Sequence, residues 1–256
     1  MALKTKLNPM GALGVKYYTL TVVTSPANAT CVLTVNGIQY TTKSLKVKKG
    51  TVVNYSVSYT DTTTKTGSIT MDSDKTLTFT RTYYTSTTYQ SWSQPTLSAN
   101  GTIGGSSFAV DGSGNWSTTY NQFWKGMDGN SSTIVLGYPN KSPQPSYIFY
   151  NPNPLKVSNL HFKSYAGGDG AGWVTKAGTI YVSTNGNTWT NLKDFTNSVT
   201  GAGAEYDVSV LTASGFKYYK ITLTQGSSYG AGWAEMTITA TEAIESYTYY
   251  FNLVIT

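Results

Sequence analysis

Apolar and polar residues alternate along most of this chain with a period of two, and no stretch repeats apolar positions at helical spacing over several turns. Tyr18, Leu20 and Val22 share one face of a first strand, and Cys31, Leu33 and Val35 share one face of a second. Asn36-Gly37 is the dipeptide that favours a two-residue hairpin turn, and the return runs through Ile38 and Tyr40. Beyond a turn at Lys49-Gly50, the residues Val53, Tyr55, Val57 and Tyr59 alternate again. Asp72-Ser73-Asp74 is predicted to join residues 66–71 to residues 76–81 as a further pair. Short strands at this spacing predict a small Ig-like β-sandwich over residues 17–83.

A polar stretch punctuated by Pro95 reads as a linker over residues 84–95. Strands are then predicted at 147–150, 157–165, 179–183, 188–192, 206–211, 218–224 and 235–241, with Asn185-Gly186 as the clearest turn. Antiparallel strands in this number fit a jelly roll over residues 96–241. Residues 242–256 form one more strand, with Tyr247, Tyr249, Phe251, Leu253 and Ile255 at every second position. An apolar face left over after a domain is complete needs a partner, either the first domain or another subunit. Pairing with another chain is the expectation, and with it a homo-oligomer. Residues 1–16 mix Lys4, Lys6, Pro9, Gly11 and Gly14 without a period and read as a basic arm.

The chain of 256 residues suffices for two domains with cores of their own, and only 12% of it is charged, so the fold class is all-β. Its net charge of +6 is unevenly placed: residues 1–88 hold ten basic side chains against Asp61, Asp72 and Asp74, whereas the remainder holds eight lysines against nine acids. The first part is therefore +7 and the rest −1. A single arginine serves bidentate phosphate or guanine recognition poorly, so nucleic acid is a weak fit and the basic part reads as a docking surface for an acidic protein. Cys31 is the only cysteine, which excludes an intramolecular disulfide and a cysteine metal cluster; its alternation places it inward on a strand. No apolar run is long enough to span a membrane, and the first residues lack the apolar core of a secretory signal, so synthesis in a host cytoplasm without export is expected.

Gly-Ala-Gly-Trp occurs twice, at 170–173 and 230–233. Glycine lets the backbone approach a partner and tryptophan offers an apolar face with one N–H, which suits stacking on a sugar ring. The same residues equally suit indoles that cap the core of a sandwich. Enzyme chemistry lacks parts: His161 is the only histidine and reads as a sheet-surface residue, and no nucleophile elbow is present. No pair of acids reads as the facing carboxylates of a glycosidase.

Residues 18–37 (Tyr-Thr-Leu-Thr-Val-Val-Thr-Ser-Pro-Ala-Asn-Ala-Thr-Cys-Val-Leu-Thr-Val-Asn-Gly) and 47–57 (Val-Lys-Lys-Gly-Thr-Val-Val-Asn-Tyr-Ser-Val) resemble the PEGA-type surface-layer module, which implies a spacer or docking role. Gly126-Met127-Asp128-Gly129-Asn130-Ser131-Ser132-Thr133 resembles the Asp-Gly turn of discoidin, or coagulation factor C-type, galactose-binding-like domains. The strands 145–150 and 157–162, the hairpin Val182 to Trp189 and Trp233-Ala234-Glu235-Met236 resemble later elements of that family in its order. Met127 stands where an aromatic residue is common. This resemblance implies ligand-binding loops at one end of the jelly roll, with Trp124, Trp173, Tyr229 and Trp233 as candidate rings and Asp169 as a partner for hydroxyls; Trp173, after the loop 166–172 and close to Asp169, is the first choice, while Trp233, two residues before Glu235, equally suits packing or the metal turn. It also implies a calcium site at Asp128, Asn130, Thr133 and Glu235, against the alternative of an Asp that caps its own turn and a Glu bonded to amides. No other cofactor is implied. The combination is similar to bacteriophage virion components of the head-fibre, decoration or tail-fibre type. That likeness implies docking on virion proteins through the arm and basic module and display of a jelly roll to host or environmental glycans. A bacterial cell-surface adhesin, the carbohydrate-binding part of a secreted protein, and a structural decoration without ligand are the alternatives.

Overall fold

The computed structural model describes residues 14–59 and 64–256. Most of the predicted arm, and Asp61, lie outside the described residues. The strands are β1 (Tyr17–Ser25), β2 (Thr30–Val35), β3 (Ile38–Tyr40), β4 (Ser44–Lys48), β5 (Val52–Ser58), β6 (Thr64–Thr70), β7 (Lys75–Ser91) and β8 (Ala109–Ser113). They continue with β9 (Val135–Gly137), β10 (Ser146–Lys163), β11 (Thr175–Ser183), β12 (Thr190–Thr196), β13 (Glu205–Ser209), β14 (Phe216–Gly226), β15 (Ala231–Trp233) and β16 (Glu235–Ile255). The protein is all-β, and no described helix is long and apolar enough to cross a membrane. The chain divides into two compact units, one of residues up to Ser86 with Tyr247–Thr256, the other of Thr87–Ser246.

In the first unit, β3-β2-β5-β6 form one sheet and β16-β7-β1-β4 the other. Asn36 (φ 51°) and Gly37 (φ 83°) take the left-handed conformations that the predicted hairpin turn demands. The alternating residues Leu20, Val22, Leu33, Val53, Tyr55, Val57 and Tyr59 are all buried, as is Cys31, whose thiol pKa burial raises. The expected hairpin of 66–71 with 76–81 does not form. β6 pairs with β5 while β7 runs parallel to β1, so Asp72-Ser73-Asp74 crosses between sheets, and Asp74 Oδ1 accepts the Thr19 N–H at 2.7 Å. Met71 and Leu77 on either side of the crossing both enter the core, a requirement that a hairpin signal read locally does not contain.

Two further expectations are corrected. Residues 84–95 are no loose linker: β7 runs to Ser91, the Trp92 N–H donates to the Ala240 carbonyl at 3.1 Å, and Gln94 bonds to both Met236 O and Ile238 N. The last strand, expected to pair with another chain, has a partner within its own. Its final residues pair with β7, with Thr76 and Thr256 exchanging backbone hydrogen bonds at 2.7 and 3.0 Å, and Phe251 and Leu253 pack on the first unit's core. Of the alternating residues, Phe251 and Leu253 find their partner in the small domain, the other partner that the leftover face allowed, while Tyr247 and Ile255 stay exposed.

In the second unit β10 is one continuous strand where two were expected. Its first half lies between β14 and β8 and its second half between β16 and β13, with an irregularity between Tyr150 and Leu155 around Pro152 and Pro154. Proline donates no ladder hydrogen bond, which suits a bend where a strand changes partners. Tyr147, Phe149, Tyr219 and Ile221 from one side and Leu160, Phe162, Met236 and Ile238 from the other share one core, as in a jelly-roll sandwich. The short pair β9–β15 stands apart from this sheet and carries the loops described next.

Candidate functional site

Residues 138–141, which follow β9, and residues 224–230, which lead from β14 into β15, enclose a cleft of about 430 Å³. That is large enough for one or two sugar rings on the scale of known ligand pockets, ~300–1,000 Å³. Backbone hydrogen bonds hold its walls: Ser227 N–H donates to Val174 O (3.0 Å), Tyr229 N–H to Gly172 O (2.9 Å) and Tyr138 N–H to Asn115 O (2.9 Å). Gly226 and Gly230 lie so close that a Cβ on Gly226 would stand 1.9 Å from the Gly230 carbonyl oxygen, so the loop closes only with glycine there.

Tyr229 is 62% exposed. Beneath it lies the backbone of Gly172, where a Cβ would come within 2.2 Å of Tyr229 Cδ2. One side of the ring is thus supported by the first Gly-Ala-Gly-Trp segment and the ring also lines the cleft. Around it stand hydroxyls and amides from Ser227, Ser228, Thr224, Gln225 and Asn140, and the ring of Tyr138 with the Lys141 ammonium 4.7 Å from its centroid. An aromatic wall with many short polar groups can hold a polyhydroxylated ring by stacking and hydrogen bonds.

On the other side of the same segment a cleft of about 150 Å³ is walled by Trp173, Tyr120 and Tyr165, with Lys125 and Thr133 at its rim. Trp173 stacks on Tyr165 (centroids 5.6 Å, planes 23° apart) and meets Tyr120 at 5.7 Å. Its faces are therefore largely taken by other rings.

The Asp-Gly turn closes onto the start of β16. Thr133 Oγ1 lies 3.0 Å from each carboxylate oxygen of Asp128 and 2.7 Å from the Asn130 carbonyl, and the Asn130 N–H faces both Asp128 Oδ1 (2.9 Å) and Glu235 Oε1 (2.7 Å). Burial, a hydrogen bond to Asp128 and its charge push the Glu235 carboxyl up to about 7. Two carboxylates this close need a shared proton or a cation. Asp128 thus caps its own turn and Glu235 accepts from the same backbone amide, the arrangement expected as the alternative to an ion; the oxygens gathered here are of the kind a hard cation prefers, but no cluster of three or more His, Cys, Asp or Glu gathers among the described residues.

No protein-family model matches the chain, and no curated protein matches it in sequence. Solved structures with a similar course are carbohydrate-binding and F5/8 type C domains. The family 32 carbohydrate-binding module of Clostridium perfringens NanJ, in complex with galactose, is 16% identical, with 54% of this chain and 93% of that one covered and a TM-score of 0.41. A family 32 module from the same organism, in complex with GalNAc-β-1,3-galactose, is 14% identical over 52% and 94% at a TM-score of 0.43. The F5/8 type C domain of a Bacteroides fragilis protein is 15% identical over 51% and 89%, also at 0.43. At these values the ligand has to be argued from this chain's own residues.

Of the rings expected at a ligand site, Tyr229 lines the larger cleft, whereas Trp173, the first choice from the sequence, lines only the smaller one and lies against Tyr120 and Tyr165. Trp233 is a correction: it is fully buried, edge-on to Tyr147 (5.0 Å) and Phe162 (5.2 Å), and presents no face to a ligand. Its place on β15, paired with β9, turns it into the core. Trp124 is half-buried against that core and lines neither cleft. Asp169 is exposed at the start of the short 3-10 helix Gly170–Trp173 and also lines neither. Asp128, Asn130, Thr133 and Glu235 do come together. Tyr138, Asn140 and Lys141 escaped the sequence reading, although Tyr-Pro-Asn-Lys-Ser-Pro is a turn-rich loop with an aromatic residue. His161 sits on a sheet surface, with Nδ1 3.1 Å from Asp207 and Nε2 3.7 Å from Glu205, between carboxylates and not beside a nucleophile.

Proposed function

We propose that the second unit binds glycans in the cleft between residues 138–141 and 224–230, with Tyr229 as the stacking ring. The observation that carries this reading is an exposed tyrosine seated on a glycine backbone and facing a polar cleft. The sequence resemblance to galactose-binding-like domains supports it. A glycan array probed with the wild type and with Tyr229→Ala tests it: signals lost in the variant support the reading, and signals that persist refute it.

In the same reading Asp128, Asn130, Thr133 and Glu235 hold a calcium ion, which neutralises the crowded carboxylates and ties the Asp-Gly turn to β16. The crowding of Asp128 and Glu235 is its support.

The setting we propose is the surface of a bacteriophage particle, with the basic first unit docked on acidic virion proteins and the second unit displayed. The charge division and the resemblance to a spacer module support this placement. Mass spectrometry of purified particles tests it: presence in virions supports it, and recovery from a bacterial surface or secretion instead would assign the chain to an adhesin or a carbohydrate-binding part of a secreted protein.

A further inference from the structure

The Tyr229 cleft carries a cation and no anion. Among the described residues that line it, Lys141 is the charged one. Its N–H donates to the Tyr138 carbonyl at 3.1 Å, a tight turn that keeps its side chain beside the Tyr138 ring. No carboxylate of the described residues forms an ion pair with it. An ammonium resting on a ring face without a counter-ion keeps its attraction for an incoming anion.

The neighbouring Trp173 cleft repeats the pattern, with Lys125 at its rim and no acidic residue in its lining. This runs against the surroundings. From residue 89 onward acids outnumber lysines nine to eight, yet both loop clefts are lined by lysine alone among charged residues. A neutral sugar would be served by the ring of Tyr229 and the hydroxyls and amides of the 224–230 loop. A carboxylate or sulfate on the sugar has Lys141 as its only charged partner in the cleft, and charge-assisted hydrogen bonds are the stronger kind.

We propose that the ligand of the Tyr229 cleft is an anionic saccharide, a sugar chain bearing carboxylate or sulfate groups, and that Lys141 is the residue that selects for the charge. This rests on the glycan reading of the cleft and adds the ligand class to it.

Isothermal titration with tetragalacturonate and its methyl ester, and with a sulfated carrageenan tetrasaccharide and its desulfated form, tests the proposal on the full chain. Lys141→Gln, Tyr229→Ala and Lys193→Gln are compared with wild type; Lys193 donates to the Ser209 carbonyl at 2.6 Å and does not line the cleft. At least one charged probe should bind about tenfold or more tighter than its neutral form, and Lys141→Gln should erase that difference while Lys193→Gln preserves it. The carboxylated and sulfated arms identify which anion is read. Equal binding of charged and neutral forms, or equal losses in both lysine variants, would overturn the selectivity while leaving a glycan site in place. Binding of no probe, or binding unchanged in Tyr229→Ala, would remove the site itself and the proposal with it.

Discussion

Tyr229 is seated on Gly172: its N–H donates to the Gly172 carbonyl at 2.9 Å, and a Cβ at position 172 would stand 2.2 Å from Tyr229 Cδ2. Gly172→Ala should therefore displace the ring, and because the clash reaches Tyr229 Cγ at 3.2 Å beside that backbone hydrogen bond, the loop must shift with it and some stability is lost as well. Glycan affinity is expected to fall about tenfold, the size of one aromatic stacking contact. Adding Tyr229→Ala to Gly172→Ala should weaken binding no further than Tyr229→Ala alone, since both act through one ring. Independent, additive losses in a double-mutant cycle would separate the two residues.

The two repeated tryptophans should behave oppositely. Trp233 is enclosed by Tyr147, Phe162 and Trp116, so Trp233→Ala is expected to cost roughly 3–5 kcal/mol in denaturant unfolding, as for other buried aromatic residues. Trp173 is half-buried and stacked at the surface of its loop, and Trp173→Ala should cost clearly less. A similar loss in both would contradict the difference in burial.

Glu235 gives the protein a pH dependence of definite sign. Its carboxyl is raised from 4.5 to about 7, so without a cation the folded state holds a proton that the unfolded state releases. Stability from this group is present in full below pH ~4.5 and is lost as pH rises through about 7. Melting of chelator-treated protein should fall between pH 5 and 8 by a small amount, the group being only half-buried, and Glu235→Gln should flatten the curve. Calcium should raise the melting temperature most at the alkaline end, where both carboxylates are charged. A curve unchanged by chelator and calcium throughout would remove the metal from the account.

Phe251 closes the first unit from the far end of the chain. Its ring lies 5.7 Å from Tyr59 and packs on the core of β1, β2, β5 and β7. Phe251→Ala should lower the unfolding free energy by about 1–2 kcal/mol, less than a fully buried phenylalanine, and leave glycan binding intact. Loss of binding together with that modest destabilisation would link the last strand to the site.

The alternation of apolar residues was enough to read the all-β class, the core face of most strands and the Asn36-Gly37 turn. It did not reveal partners. Met71 and Leu77 look like the arms of a hairpin locally, yet they lie at a crossing between sheets, and the free face of Phe251 and Leu253 names no acceptor. At the site, Asp128, Asn130, Thr133 and Glu235 were all supplied by the resemblance to galactose-binding-like domains; the first three are neighbours in sequence, whereas only the fold brings Glu235 to them. Tyr229 was legible as a ring on a loop. Tyr138 and Lys141 were not, because their proximity to residues 224–230 is created by β9 pairing with β15, which no local pattern encodes. Trp233 shares the Gly-Ala-Gly context of Trp173, but its place just before Glu235 already suited packing, and strand pairing, not the tetrapeptide, decides which way an indole points.

The location of the glycan site is best tested by following backbone amide chemical shifts during titration with a sugar that binds. The cleft predicts that the changes gather at residues 138–141 and 224–230, with Gly172 following through its hydrogen bond to Tyr229. Changes gathered instead around Tyr120, Lys125 and Tyr165, or spread over the sheet faces with Tyr229 unaffected, would contradict it.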